Sequence, residues 1–367
     1  MNRILFITAF PPNKLTAGQN YSKELLGLLS EDYRIDLIFF SYQNHEIDVN
    51  LKINVLKKFN VSTASKIYSW GHFPFFHPFF LLRFRFRLLL FLIKNAKNYK
   101  FLYFDFSQIF IYSFFIKKSF KIMMCHDVIY QKLKRKRFFY FNPFNSLLFF
   151  TEKYILKSAD LLLTFSKKDQ QLLKNNYKLD SSIINFFIND KIKFIDYNKV
   201  DLSLKFCFFG AWNRPENMDG LIWFTENVLP HLNDKFKFEI IGPSINKEFL
   251  DKIKDKKNIQ YLGFLEDPYL KIAECQALIA PIFQGAGVKV KVIEALATGT
   301  PVIGTEVAFE GIDNIYEGSL SLCYDAKDFI RAINTFKTIS IDVKQKIKKS
   351  FEVSYKKNKL KDLLSNI

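Results

Sequence analysis

The sequence predicts an α/β protein built from two Rossmann-like domains, each around a parallel sheet. Three observations carry that prediction. Short apolar runs alternate with helical patterns through the first half of the chain. The alternation restarts after a polar stretch, Asp190–Leu204. In the second half the apolar runs end at glycines, Gly210, Gly242 and Gly263, the mark of strands whose C-terminal ends face a ligand. At 367 residues the chain is too long for one ordinary core. The expected domains are 1–195 and 196–345, and the Lys-rich stretch 346–367 closes the chain as a helix.

In the first domain, Ile4–Phe10, Arg34–Phe40, Phe101–Phe104, Lys121–Cys125 and Leu161–Phe165 read as strands. Gly18–Leu29 repeats apolar residues at helical spacing (Tyr21, Leu25, Leu28, Leu29), as do Ile109–Phe115 and Leu147–Lys157. Ser166 is placed to cap a helix running through Leu173. In the second domain the expected strands are Lys205–Phe209, Phe236–Ile241, Ile259–Leu262 and Ala277–Pro281. Helices are expected over Met218–Leu229, Ile245–Ile253 and Tyr269–Cys275.

Cys125, Cys207, Cys275 and Cys323 lie far apart in apolar settings, as reduced core residues do. The five histidines form no metal-binding array, so no metal site is expected. MNRILFITAFPP lacks the apolar length and cleavage site of a signal peptide and reads as a first strand. Phe73–Ile93 has nearly the length of a membrane span, but Arg83, Arg85 and Arg87 would be too costly near a bilayer centre.

The net charge is +18 and unevenly placed. From Lys66 to Tyr140 fifteen Lys and Arg face only Asp105 and Asp127, and phenylalanines thread the same region (FFHPFFLLRFRFRLLLFLIK, KLKRKRFFYF). Docking on an anionic membrane surface is the leading reading, ahead of an ordinary solvated basic face. Nucleic acid is disfavoured because no recognition motif accompanies the charge.

The segment PIFQGAGVKVKVIEALATGTPVIG, Pro281–Gly304, is the most specific. An apolar strand meets a glycine turn (Gly285, Gly287), a helix follows, and Gly299-Thr300-Pro301 ends it. Such a turn brings backbone N–H groups to an anion that the helix dipole also favours. Glu294 could accept hydrogen bonds from a ribose, so a nucleoside diphosphate fits. Lys289 and Lys291 stand at the helix start, where a cation costs ~0.3–1 kcal/mol unless an anion binds. Solvated surface lysines are the competing reading. Arg214, in a loop before Pro215, suits an anion ligand and a surface salt bridge equally. Trp212 and Trp223 read as packing residues.

With these residues in place the chain resembles glycosyltransferases of family 4, which have the GT-B arrangement of two facing Rossmann-like domains. MNRILFITAFPP with Thr16-Ala17-Gly18-Gln19, His126-Asp127, ADLLLTFSKKD, FFGAWNRPENMDGLIWF, LGFLEDPYLKIAECQALIAPIF and the glycine-lysine block carry the resemblance. It implies a retaining transferase that uses a nucleotide-sugar donor and needs no essential metal or other cofactor. Glu294 would then bind the ribose, and the backbone of Gly287 and Val288 the diphosphate, with Gly18 approaching from the other domain. Phe264 and Leu265 would lie by the base, and His126 by the transferred sugar. Asp127 is alternatively an N-cap.

The chain departs from the family pattern in three places. The first of two family glutamates falls on Ala286, and the usual arginine and lysine fall near Ala211 and Asn217. Arg214, Lys289 and Lys291 are read as their substitutes. The expected protein is cytoplasmic and peripheral at the inner membrane face, adding a sugar to a glycan or lipid-linked acceptor of a bacterial surface polysaccharide or lipopolysaccharide. A nucleotide-sugar epimerase of the same architecture, and a basic binding protein without chemistry, are the alternatives.

Overall fold

The computed structural model describes residues 2–41, 47–48, 53–61, 71, 73–134, 145–285, 287–355 and 359–367. The basic run at 135–137 and Ala286 of the glycine turn lie outside them. The chain forms two compact units, residues 1–187 with 358–367 (unit 1) and residues 188–357 (unit 2).

Unit 1 is built on β1 (Arg3–Thr8), α1 (Ala17–Leu29), β2 (Arg34–Ser41), β3 (Asn54–Asn60), α2 (Pro78–Leu81), α3 (Phe86–Asn95) and β4 (Phe101–Asp105). It continues with α4 (Ile111–Phe114), β5 (Phe120–Cys125), α5 (Ile129–Lys134), α6 (Asn145–Leu156), β6 (Leu161–Thr164), α7 (Lys167–Tyr177) and β7 (Ser182–Ile183). The strands are parallel in the order β3-β2-β1-β4-β5-β6-β7. Both faces of the central strands are covered, which is why they read as continuous apolar runs. Thr16 caps α1 by accepting from the Gln19 amide, and Ser166 caps α7 through Asp169. Each cap stabilises by ~1 kcal/mol.

Unit 2 contains β8 (Lys205–Phe209), α8 (Pro215–Asn227), β9 (Lys237–Ile241), α9 (Lys247–Ile253), β10 (Ile259–Gly263), α10 (Tyr269–Glu274) and β11 (Ala277–Ala280). Then come α11 (Val290–Ala297), β12 (Val302–Gly304), β13 (Leu320–Leu322), α12 (Ala326–Asn334) and α13 (Ile341–Ser354). Its parallel order is β10-β9-β8-β11-β12-β13. In both sheets the winding reverses beside the first strand, between β1 and β4 and between β8 and β11. In open α/β sheets such a reversal, at the strand C-termini, is where ligands bind.

Three expectations need correction. Helix α8 starts at Pro215, not Met218, because proline is preorganised for a first helical position whose N–H has no partner to lose. The expected closing helix 346–367 is two elements: α13 belongs to unit 2, and α14 (Lys359–Ser365) returns to unit 1. There Leu360 and Leu364 are buried, and Lys361 pairs with Glu31 at 2.5 Å and Asp32 at 2.9 Å.

The arginine trio is the third. Arg83 is 2% exposed; its Nε donates to the Ala9 carbonyl at 2.6 Å and its guanidinium lies 4.4 Å from the Phe10 ring centroid. Arg85 donates to the Phe84 and Asn60 carbonyls. Only Arg87 of the three is exposed. No helix among the described residues is long and apolar enough to cross a membrane.

Candidate functional site

The winding reversal of unit 2 gathers most of the expected residues. After β8 the chain passes Gly210 and reaches Arg214, whose extended backbone precedes α8. Among the described residues Arg214 has no ion-pair partner, so the salt-bridge reading finds no support. After β11, Gly285 (φ 104°) and Gly287 (φ 73°) turn the chain through the left-handed region, where a side chain would be strained. Partly buried Val288 follows, then Lys289 in the N-cap position of α11.

The two lysines are held differently. Lys289 Nζ donates to the Gly287 carbonyl at 2.6 Å and lies 3.9 Å from the Glu310 carboxylate. Lys291 Nζ donates to Asn217 Oδ1 at 2.6 Å, and Asn217 Nδ2 in turn donates to the Ala211 carbonyl at 2.8 Å. Gly210 completes this seat: a Cβ there would stand 3.0 Å from Asn217 Nδ2 and 3.1 Å from Lys291 Nζ. Neither lysine is a solvated surface residue. Burial pulls the Lys291 ammonium down to about 7; Glu216 opposes the shift, and Arg214 and Lys289 add to it.

Glu294 stands one turn further along α11. It makes no pair with Lys291; its Oε1 accepts from the Tyr269 hydroxyl at 2.9 Å. Burial raises its carboxyl to about 7, against the lowering effect of that hydrogen bond. Phe264 follows the end of β10 and is 70% exposed, with Leu265 partly buried beside it. Trp212 and Trp223 pack into the core of this unit.

Unit 1 brings together Gly18 and His126. His126 follows β5, stacks on Phe106 with centroids 3.8 Å apart, and meets the edges of Tyr21 and Phe165. Its Nε2 lies 2.7 Å from Asp105 Oδ1. Asp105 is fully buried and also accepts from Ser22 at 2.5 Å and Thr8 at 3.2 Å. The Asp105 contact engages Nε2 and leaves Nδ1 for other work. A Cβ on Gly18 would come within 3.4 Å of that Nδ1 and 3.0 Å of Phe106. Asp127 is not the N-cap of α5. It takes Lys132 at 2.6 Å, while the Glu152 carboxylate accepts from the Ile129 and Tyr130 amides.

The sequence reading missed Asn217 as a seat, Tyr269, Glu310 and Asp105. Only Asp105 had a signal: a lone carboxylate closing the apolar strand FLYFD. Residues 203–337 match the family described as Glycosyl transferases group 1. The match lies within unit 2. A 44.6 kDa protein in the cps region of Klebsiella pneumoniae is 30% identical over 219 residues, 56% of this chain and 54% of that protein. The chain thus spans about half the length of the curated relative it matches. Solved structures share the fold. Anabaena HepE in complex with UDP is 14% identical with a TM-score of 0.67, over 100% of both chains. The lipopolysaccharide outer core galactosyltransferase WaaB is 13% identical with a TM-score of 0.67, again over 100% of both. TarM is 13% identical with a TM-score of 0.69, over 100% of this chain and 98% of that one. The two parallel-sheet units are those of the GT-B class.

Proposed function

We propose that this protein transfers a sugar from a nucleotide-sugar donor to a glycan or lipid-linked acceptor, with retention of anomeric configuration, in the synthesis of a surface polysaccharide or lipopolysaccharide. The observation that carries the reading is that the group 1 match spans the winding reversal of unit 2, with Lys291 and Glu294 one turn apart on α11 and Arg214 close enough to act on the Lys291 charge. The UDP bound to HepE and the galactosyltransferase activity in WaaB's name support the same chemistry.

In this reading Glu294 accepts the ribose hydroxyls, with Tyr269 holding its carboxylate in place. Phe264 and Leu265 lie by the base. The backbone at Gly285, Gly287 and Val288, the α11 N-terminus, Lys291 and Arg214 face the diphosphate, and Lys289 braces the turn from Glu310. The acceptor oxygen bonds to the anomeric carbon as the bond from that carbon to the phosphate oxygen breaks. The diphosphate leaves with the electron pair and takes the acceptor proton. Preorganised cations stabilise that developing charge without reorganising, which is where they contribute most. In the resemblance this role replaces a metal ion. The resemblance assigns the acceptor to unit 1, Gly18 to the diphosphate and His126 to the transferred sugar.

Purified protein incubated with a panel of UDP-, GDP- and CMP-sugars tests the proposal. One donor should release free nucleotide faster than the Glu294→Ala variant does. An epimerised donor with no nucleotide released would instead identify the epimerase, and no turnover together with no nucleotide binding would refute both.

A further inference from the structure

The helical layer over one face of the unit 1 sheet has an outer surface that the transfer chemistry does not use. Helices α3, α4 and α6 all pack on one core cluster with the inward residues of β1, β4 and β5. Their outer sides therefore belong to one surface. Helix α3 buries Leu88, Leu89 and Leu92 against that core. On its opposite side Phe86, Leu90 and Ile93, at i, i+4 and i+7, are each more than half exposed. A helix apolar on both sides belongs in an interior or against a partner.

The neighbouring helices continue the pattern. Phe150 and Tyr154, one turn apart on α6, are more than half exposed, and Phe114 at the end of α4 is exposed. Phe114 and Tyr154 line one hollow of about 420 Å³ with Lys117, Lys121 and Lys157. Phe76 packs on Phe114 and leads to Phe75, which is 84% exposed.

Charge selects the partner. Between residues 49 and 126 the sequence holds thirteen Lys and Arg and one acid, Asp105, which is fully buried under His126. On α6, Glu152 is buried and engaged by two amides and a tyrosine. At the margins Asp127 pairs with Lys132, and Asp160 accepts from the Lys121 amide. Exposed Arg87, Lys94 and Lys97 flank the α3 stripe. Bulky apolar side chains set among cations, with acids buried or confined to the margins, match the polar-apolar boundary of an anionic bilayer.

We propose that unit 1 docks on an anionic lipid surface through the outer sides of α3, α4 and α6, with the Phe86–Leu90–Ile93 stripe entering the acyl boundary. Arg83 and Arg85 have no part in it, because their guanidinium groups are committed to backbone carbonyls. The docking stands on unit 1 alone. Only its purpose, keeping the enzyme beside a lipid-linked acceptor, rests on the transfer reading.

The test is sedimentation of the full chain with vesicles of phosphatidylcholine and phosphatidylglycerol against phosphatidylcholine alone. Binding should require the anionic lipid and weaken near 1 M salt, where the Debye length is ~3 Å. Arg87→Gln/Lys94→Gln/Lys97→Gln should lower partitioning on the order of 10²-fold, given the typical contribution of a cation at such a surface. Leu90→Ser/Ile93→Ser should lower it as well. Lys252→Gln/Lys254→Gln/Lys256→Gln removes the same charge from unit 2 and should leave partitioning unchanged. Equal losses in the two triple variants would reduce the effect to net charge and overturn the proposal. Full binding by the α3 variants would overturn it too. Competition by single-stranded RNA that abolishes vesicle binding would assign the surface to nucleic acid. All substituted side chains are exposed, and thermal melts verify folding. Vesicle binding without sugar turnover would uphold the docking while refuting the transfer reading.

Discussion

The two units treat the charged groups at their strand ends in opposite ways. In unit 1 they satisfy one another: Asp105 is closed off by Thr8, Ser22 and His126, and the imidazole is clamped between aromatic rings. In unit 2, Arg214 has no ion-pair partner among the described residues, Lys291 rests on a neutral amide, and Glu294 on a neutral hydroxyl. Lys291 and Glu294 are both shifted toward neutrality by burial. A buried charge without a countercharge is costly, and in the proposed reading a bound donor would supply the missing charge and hydroxyls. His126 and Asp105 of unit 1 answer each other, whereas Lys291 and Glu294 of unit 2 rest on neutral partners.

The sharpest way to break this contrast is Glu294→Ala. Charged hydrogen bonds contribute ~1.5–3 kcal/mol each, so losing two should weaken donor binding by at least ~10²-fold with the fold intact. Calorimetric titration giving wild-type affinity in the folded variant would remove Glu294 from the site.

Next in size is the cation seated at Asn217. Lys291→Ala should cut turnover on the order of 10²-fold and more than Lys289→Ala, since Lys289 is already braced by Glu310. Lys291→Arg should fall short of full activity because its fork is directed differently. Placing a lysine at Asn217 in the Lys291→Ala background returns an ammonium to the same seat from α8, and it should recover part of the loss. Near-wild-type turnover in the Lys289→Ala/Lys291→Ala variant would shift the whole burden to Arg214.

A smaller effect sharpens the other side of the comparison. Asp105→Asn removes the charge that orients His126, so turnover should fall with unchanged nucleotide affinity. Stability should also drop by ~1–3 kcal/mol as charge-assisted bonds are lost. A fall in nucleotide affinity equal to the fall in turnover would show that the effect reaches unit 2.

Smallest is the pH dependence of the empty protein. Glu294 is raised from 4.5 to about 7, so its contribution to stability is full below 4.5 and is lost as pH rises through 7. Lys291 is lowered from 10.5 to about 7, so its contribution is present above 10.5 and is lost as pH falls through 7. Together they make neutral pH the least favourable point for this site. Lys291→Met should raise Tm at pH 7, with the gain vanishing towards 10.5. For Glu294→Gln the gain near pH 8 should vanish towards 4.5. Parallel melting curves at all pH values would show that neither group is desolvated.

How much of this was legible depended on whether the cause was local. The buried strands announced themselves because both faces are covered and the whole run must be apolar. Strand β3 was missed because it is an exposed edge with two lysines and two asparagines, and β13 because three residues carry no period. Gly285, Gly287, Lys289, Lys291 and Glu294 were readable because a turn and one helix hold them within ten residues. The partners Asn217 and Tyr269 were not, since each arrives from another helix, 74 and 25 residues away in sequence. The arginine trio misled for a related reason: spacing cannot show that Arg83 folds inward to the Ala9 carbonyl, 74 residues away.

The return of Lys359–Ser365 to unit 1 has a consequence for how the molecule is made. Unit 2 is one uninterrupted segment and can fold as soon as it leaves the ribosome. Unit 1 must hold an unfinished surface around Glu31 and Asp32 through the synthesis of all of unit 2, until Leu360, Lys361 and Leu364 arrive to cover it. Residues 188–357 produced alone should therefore fold, whereas a fragment ending at residue 187 should expose apolar surface and need a supplied C-terminal peptide to stay in solution; equal solubility of the two fragments would refute this.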